Sequence, residues 1–253
     1  MTSDVSDWES SQGAVIICDM WDLRGRHHCR SATNRMEELA PAMNRVVALL
    51  REQGALIIHS PSECMGFYQN DPARLIAVGA THHPAPAKLG WNWPDTDREP
   101  LVPGLVVAWG ERVEDADRCS CDPSPASCFS RAPVPPIRQV DSIEVWPEDA
   151  VTGAGQEVFN LLEERKVRNV LIMGVHTNIC VLSRDFGIRQ LVYLGKRPIL
   201  CRDLTDSFHR HPAGHFEGNR LVADHIEKHW ATTVTSDQLV GGAPFRFKDD
   251  RSA

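Results

Sequence analysis

The chain carries short apolar segments, rich in β-branched residues and almost without polar alternation. They are Ala14–Cys18 (AVIIC), Ala55–Ile58 (ALII), Ser142–Trp146 (SIEVW), Asn169–Met173 (NVLIM) and Pro198–Cys201 (PILC), with Ala231–Thr235 (ATTVT) as a sixth. Strands apolar on both faces must be covered on both, which is the situation of a parallel sheet between two layers of helix. Helical spacing fills the gaps. Pro41–Gln53 aligns Met43, Val46, Val47 and Leu50 on one stripe, with Pro41 near its start and Gly54 as its stop. Ala154–Arg165, Ile179–Leu191 and Asn219–His229 repeat the pattern. Strands alternating with helices predict a doubly wound α/β fold with right-handed crossovers.

Thr81 to Gln139 breaks that rhythm. It is rich in proline, holds Trp91, Trp93 and Trp109, and has neither helical nor strand periodicity. Long irregular segments of this kind are usually functional, so residues 81–139 are read as an insertion covering a pocket within one domain spanning 1–253. Apolar residues make up 42% of the 253, enough for a large core. The net charge of −7, with basic residues scattered, argues against a nucleic-acid surface. No apolar run approaches the ~18 residues that would span a membrane. Met1 to Gln12 is polar and acidic rather than a signal peptide, which makes the cytoplasm the expected compartment. A small molecule is the expected partner. Eight cysteines are too few for a disulfide scaffold.

In such sheets, ligands bind beyond the carboxyl ends of the strands. The predicted strand ends read Cys18-Asp19, His59, Trp146-Pro147-Glu148-Asp149, Gly174 through Cys180, and Arg202-Asp203. Polar, titratable groups thus converge on one edge. Cys180 follows a strand and a short turn and opens a helix, with Thr177 or Asn178 available as N-cap. A lone cysteine is most often a small core residue. At a helix start, however, the dipole and free N–H groups favour thiolate and could hold an oxyanion.

The segments Val170–Leu191 (VLIMGVHTNICVLSRDFGIRQL) and Ala14–Asp22 (AVIICDMWD) resemble the isochorismatase-like cysteine hydrolases. That family has an Asp after the first strand and a Gly-x-x-Thr-x-x-Cys-Val turn, which Gly174, Thr177, Cys180 and Val181 match in spacing. The resemblance covers roughly 14–58 and 142–229, not the insertion. It implies a three-layer, Rossmann-like sheet of six parallel strands flanked by helices, a cis peptide at Val175–His176 and a homo-oligomer. It also implies hydrolysis of an amide, imide or ureido C–N bond of a small molecule, with Cys180 as nucleophile and Asp19 as acid and base. The N–H groups of Ile179 and Cys180 would form the oxyanion hole. His176, Thr177, Trp21 and His59 are the further candidates for binding substrate.

One member of the family's set is absent. Its lysine should fall near Pro147 or Glu148, where no Lys stands. Glu148 is therefore taken as a second acid/base group, or else Arg138 or another cation supplies the charge; Lys88 and Lys166 fit poorly. An altered, non-catalytic ligand-binding relative of the same fold is the alternative. No cofactor is expected and no metal is assigned. His27, His28, Cys29 and His59 are the residues whose chemistry would suit zinc. Cys119, Cys121 and Cys128 could pair or ligate instead, with Cys29 the preferred disulfide partner.

Overall fold

The computed structural model describes residues 12–22, 30–92, 94–102, 138–208, 211 and 214–251. In chain order these form β1 (Gly13–Cys18), α1 (Arg30–Glu52), β2 (Leu56–Ser60), α2 (Met65–Tyr68), α3 (Pro72–Gly79), β3 (Ala150–Val151) and α4 (Gly155–Glu164). Then come β4 (Asn169–Val175), a π-helical turn (Thr177–Val181), α5 (Ile188–Tyr193), β5 (Arg197–Asp206), α6 (His215–His229), β6 (Thr232–Val234) and α7 (Ser236–Val240). All six strands are parallel, in the order β3-β2-β1-β4-β5-β6. The order reverses between β1 and β4, so the crevice beyond Cys18 and Val175 is where this class of sheet binds ligands.

The lack of alternation in the strands has its expected cause. Ala14, Ile16 and Cys18 of β1 pack on one face, with Leu161 and Leu162 of α4 and Ile226 of α6. Val15 and Ile17 pack on the other, against Met43, Val46 and Leu50 of α1. Gly174 lets the two central strands meet: its φ is +114°, and a Cβ there would lie 2.1 Å from the Cys18 carbonyl oxygen.

Three expectations are corrected. Ser142–Trp146 is not a strand; it forms turns, with Trp146 half exposed and its N–H donating to Asp149. The third strand is the two-residue Ala150–Val151, pairing only with Ile58 and His59. Secondly, Ile179–Leu191 is not one helix. The chain leaves the π turn, bends at 184–187 and restarts as α5. Thirdly, β5 runs on to Asp206, so Arg202 and Asp203 lie mid-strand. The Asp203 carboxylate accepts from the N–H groups of Ser236 and Phe245 (2.8 and 2.7 Å) and so anchors the start of α7. In addition, α1 starts eleven residues before Pro41 and carries that proline inside it.

The described part of the insertion is packed against the body. Glu99 is buried, and Asn92 and Gly90 bond to α5. Trp93, Trp109, His27, His28, Cys29, Cys119, Cys121 and Cys128 lie outside the described residues. Among the described residues, no helix is long and apolar enough to cross a membrane.

At the end of β5, Asp206 is fully buried among Arg35 (2.8 Å), His215 (2.6 Å) and Asn219 (2.9 Å). Burial pushes its carboxyl up, but Arg35, His215 and Asn219 outweigh it and hold it far below the ordinary value. A carboxylate depressed in the fold contributes stability above its unfolded pKa of about 3.9, and that contribution is lost as pH falls through the folded value. Asp206→Asn should therefore lose about 3 kcal/mol at pH 7, much of it from stranding the Arg35 charge, and should show a flatter acid limb than the wild type. Urea unfolding from pH 7 to about pH 2, across the window below the unfolded pKa, measures both.

Candidate active site

Asp19 is the first residue beyond β1, in a left-handed backbone conformation (φ +48°) that Asp tolerates better than most residues. The geometry is held from both sides: its N–H donates to Ser60 O (3.0 Å), and its carbonyl accepts from Trp21 N–H (2.7 Å). The side chain is fully buried. Oδ1 accepts the Ser62 N–H at 2.8 Å, and Oδ2 accepts Arg184 Nε at 3.2 Å. The Cys180 thiol lies close enough for the two groups to act electrostatically on each other.

Cys180 lies in the π turn, buried at 4% exposure beneath the crevice. The Val175–His176 peptide before the turn is cis. The His176 N–H acts on the sulfur, favouring its charged form. Burial pushes the thiol well above its ordinary pKa, and the Asp19 charge pushes it further; Arg184 and the His176 N–H oppose them. Burial also raises Asp19, against Arg184 and Ser62. Burial thus pushes both groups toward their protonated forms, against the thiolate that a helix start would favour. The reason is local: a five-residue turn packed in the core supplies little dipole, while desolvation acts in full.

Arg184 is the cation that sequence reasoning missed. Its guanidinium links Asp19 to Glu63 (3.3 Å from Nη2) and lies 6.0 Å from the Trp21 ring centroid and 5.2 Å from that of Trp91. Two unit charges about 4 Å apart at an effective dielectric near 20 attract by about 4 kcal/mol, comparable to the several kcal/mol cost of desolvating a carboxylate. The Asp19 charge keeps Arg184 firmly protonated despite its burial. The signal was present: Arg184 is four residues after Cys180, the spacing at which helical side chains share a face.

Other expected residues fall elsewhere. Glu148 is exposed on the turn before β3. Because Ala150 pairs with Ile58 and Ile58 with Ile16, Glu148 lies toward the opposite end of the sheet from Asp19. Its neighbour Asp149 is the buried acid, accepting from Arg51 and His59. At the true carboxyl end of β3 stands Thr152, whose hydroxyl donates to Glu157 and accepts from Ala154 N–H. Arg138 pairs with Asp141 and Asp22, and Lys88 and Lys166 are exposed. His59 shares a strand face with Ile57, away from the Cys180 side. Its two ring nitrogens are taken by Asp149 and Gln139, both at 3.1 Å, so it is structural rather than substrate-binding. Trp21 does border the site, with its indole N–H on Ser62 O and its ring 6.4 Å from that of His176. Thr177 is buried inside the turn; the N-cap is His176, without a side-chain cap. Ile179 donates its N–H to His176 O, which removes it from the expected oxyanion hole. Among the described residues, no three His, Cys, Asp or Glu side chains gather as metal ligands.

The same arrangement of strands is found in solved structures. A cysteine hydrolase from Pseudomonas syringae pv. phaseolicola superposes with a TM-score of 0.55 at 12% identity, covering 95% of this chain and 97% of that one. An isochorismatase from Pseudomonas putida gives 0.51 at 12% identity, with 92% of each chain covered. The fold is the one these enzymes share. No family model and no curated protein sequence matches the chain.

In this fold the approach of β1 to β4 is the tightest backbone constraint on the site. Gly174→Ala should cost about 3 kcal/mol or more, since it adds positive-φ strain to a collision with the Cys18 backbone. Chemical denaturation of the purified variant, or its failure to accumulate in soluble form, checks this.

Proposed function

We propose that the chain is an isochorismatase-like cysteine hydrolase that cleaves the C–N bond of a small amide, imide or ureido compound through a thioester on Cys180. The observation that carries this reading is the Asp19–Arg184 ion pair set beside the buried Cys180 in the crevice between β1 and β4. Asp19 takes the thiol proton as sulfur attacks the carbonyl carbon, and the C=O π electrons move to oxygen. The N–H groups of Cys180 and His176 are the candidate donors to that oxyanion. As the intermediate collapses, Asp19 returns the proton to nitrogen, the C–N bond breaks and the amine or ammonia leaves. Water then adds to the thioester while losing a proton to Asp19. Collapse expels the thiolate, which recovers that proton. One water is consumed, and one amine and one acid are formed.

Arg184 takes the electrostatic part that the resemblance assigns to a lysine. It opposes the upward push of burial on Asp19 and offsets charge as the proton moves between sulfur, carboxylate and nitrogen. Its fork serves two acceptors, Asp19 and Glu63, which an ammonium would not reproduce in the same geometry.

Ammonia or amine release from a panel of small amides and ureides tests the reading. Cys180→Ala and Asp19→Asn should each abolish turnover, and hydroxylamine should trap an acyl group on the wild type alone. Turnover that survives Cys180→Ala would remove the thioester route. Binding of such compounds without amine release would instead indicate a ligand-binding relative. Arg184→Ala should lower kcat/KM by about 10²–10³-fold, and Arg184→Lys by less. Glu148→Gln should retain a near-native rate, as its exposed position requires.

A further inference from the structure

The start of the insertion is fastened beside the site by contacts that the hydrolytic chemistry does not use. Asn92 donates its N–H to Ser183 O at 2.8 Å, accepts Arg189 Nη1 at its carbonyl at 3.1 Å, and donates its side-chain amide to Gln190 at 2.9 Å. These three contacts hold Trp91 against the apolar cluster that contains Cys180, with its ring 5.2 Å from the Arg184 guanidinium. Trp21 lies on the same guanidinium at 6.0 Å, so two indoles bound the approach to Asp19 on the Arg184 side.

Seven residues beyond Asn92 the segment sends a carboxylate into the interior. The side chains of Glu99 and Arg189 are both fully buried, with Nη2 at 2.6 Å from Oε1. His225 Nε2 lies 2.6 Å from Oε2. A buried ion pair is tolerated only when its partners are well matched, and it strongly resists the removal of one member. Arg189 holds Glu99, Asn92 O and Ser183 Oγ together, so one guanidinium ties the insertion to the stretch that carries Arg184.

We propose that residues 90–92 and 94–99 form a fixed wall of the Cys180 site, in which Trp91 limits the size of the group that reaches the sulfur and the Glu99–Arg189–His225 cluster holds the wall in place. The proposal rests on Cys180 being the nucleophile; its test reads access to the thiol rather than turnover. The full-length protein is alkylated with iodoacetamide and, separately, with the bulkier N-phenylmaleimide. Modification of Cys180 is located by peptide mass, and each rate is divided by that of free cysteine. Trp91→Ala should raise the N-phenylmaleimide rate relative to iodoacetamide by about tenfold, the scale on which a pocket discriminates by size. Glu99→Gln should shift the ratio in the same direction although it does not touch the site. An unchanged ratio in Trp91→Ala overturns the wall. An unchanged ratio in a folded Glu99→Gln overturns the anchor. Unfolding of Glu99→Gln would show as faster modification of the buried Cys18, Cys64 and Cys201 as well, and Trp91→Ala then decides alone. Absence of amide turnover by the wild type would sink the hydrolase reading and leave the ratio standing.

Discussion

A fully buried carboxylate has to be reconciled with its surroundings, and at Asp19 this is done by Arg184 on one oxygen and the Ser62 N–H on the other. Without the guanidinium, burial would drive Asp19 toward its neutral form. The thiol beside it would then lose its proton acceptor. Residues around the crevice serve this pair: Trp21 and Trp91 flank the guanidinium, and Glu63 takes its second nitrogen. Burial raises both the thiol and the carboxyl, Arg184 opposes it at each, and a substrate carbonyl would supply the drive for proton transfer.

The sheet makes that meeting possible. Asp19 follows β1 and Cys180 follows β4, neighbours in space but separated by most of the chain. Gly174 allows the two strand ends to pack backbone to backbone, and a buried network from Arg51 through Asp149 and His59 to Gln139 secures the neighbouring edge. Polar groups that look equivalent on a list of strand ends have divided labour: Asp19 faces chemistry, while His59, Asp149 and Asp203 hold elements together.

Five of the strands were legible because they follow a local rule: β-branched runs without alternation mark doubly covered strands. The pairing of Asp19 with Cys180 came from the family resemblance of the Gly-x-x-Thr-x-x-Cys segment. Ser142–Trp146 was misread because a β-rich composition cannot distinguish a strand from turns whose apolar residues pack singly. Glu148 followed from that error, since a strand placed eight residues too early moves its carboxyl end to the wrong side of the sheet. Arg184 was hidden by the assumption that the cation must come from β3, although its spacing from Cys180 was visible. The protonation of the thiol was not legible at all, because it depends on burial that only packing sets.

The proton balance between Cys180 and Asp19 decides how this site works, and titrating the alkylation of Cys180 by iodoacetamide in wild type and Asp19→Asn measures it directly. The expected wild-type midpoint lies above the value of about 8.5 for free cysteine and falls in Asp19→Asn, as the neighbouring charge is removed and Arg184 is left facing the sulfur. A wild-type midpoint below that of free cysteine, or one that does not move in Asp19→Asn, would contradict it.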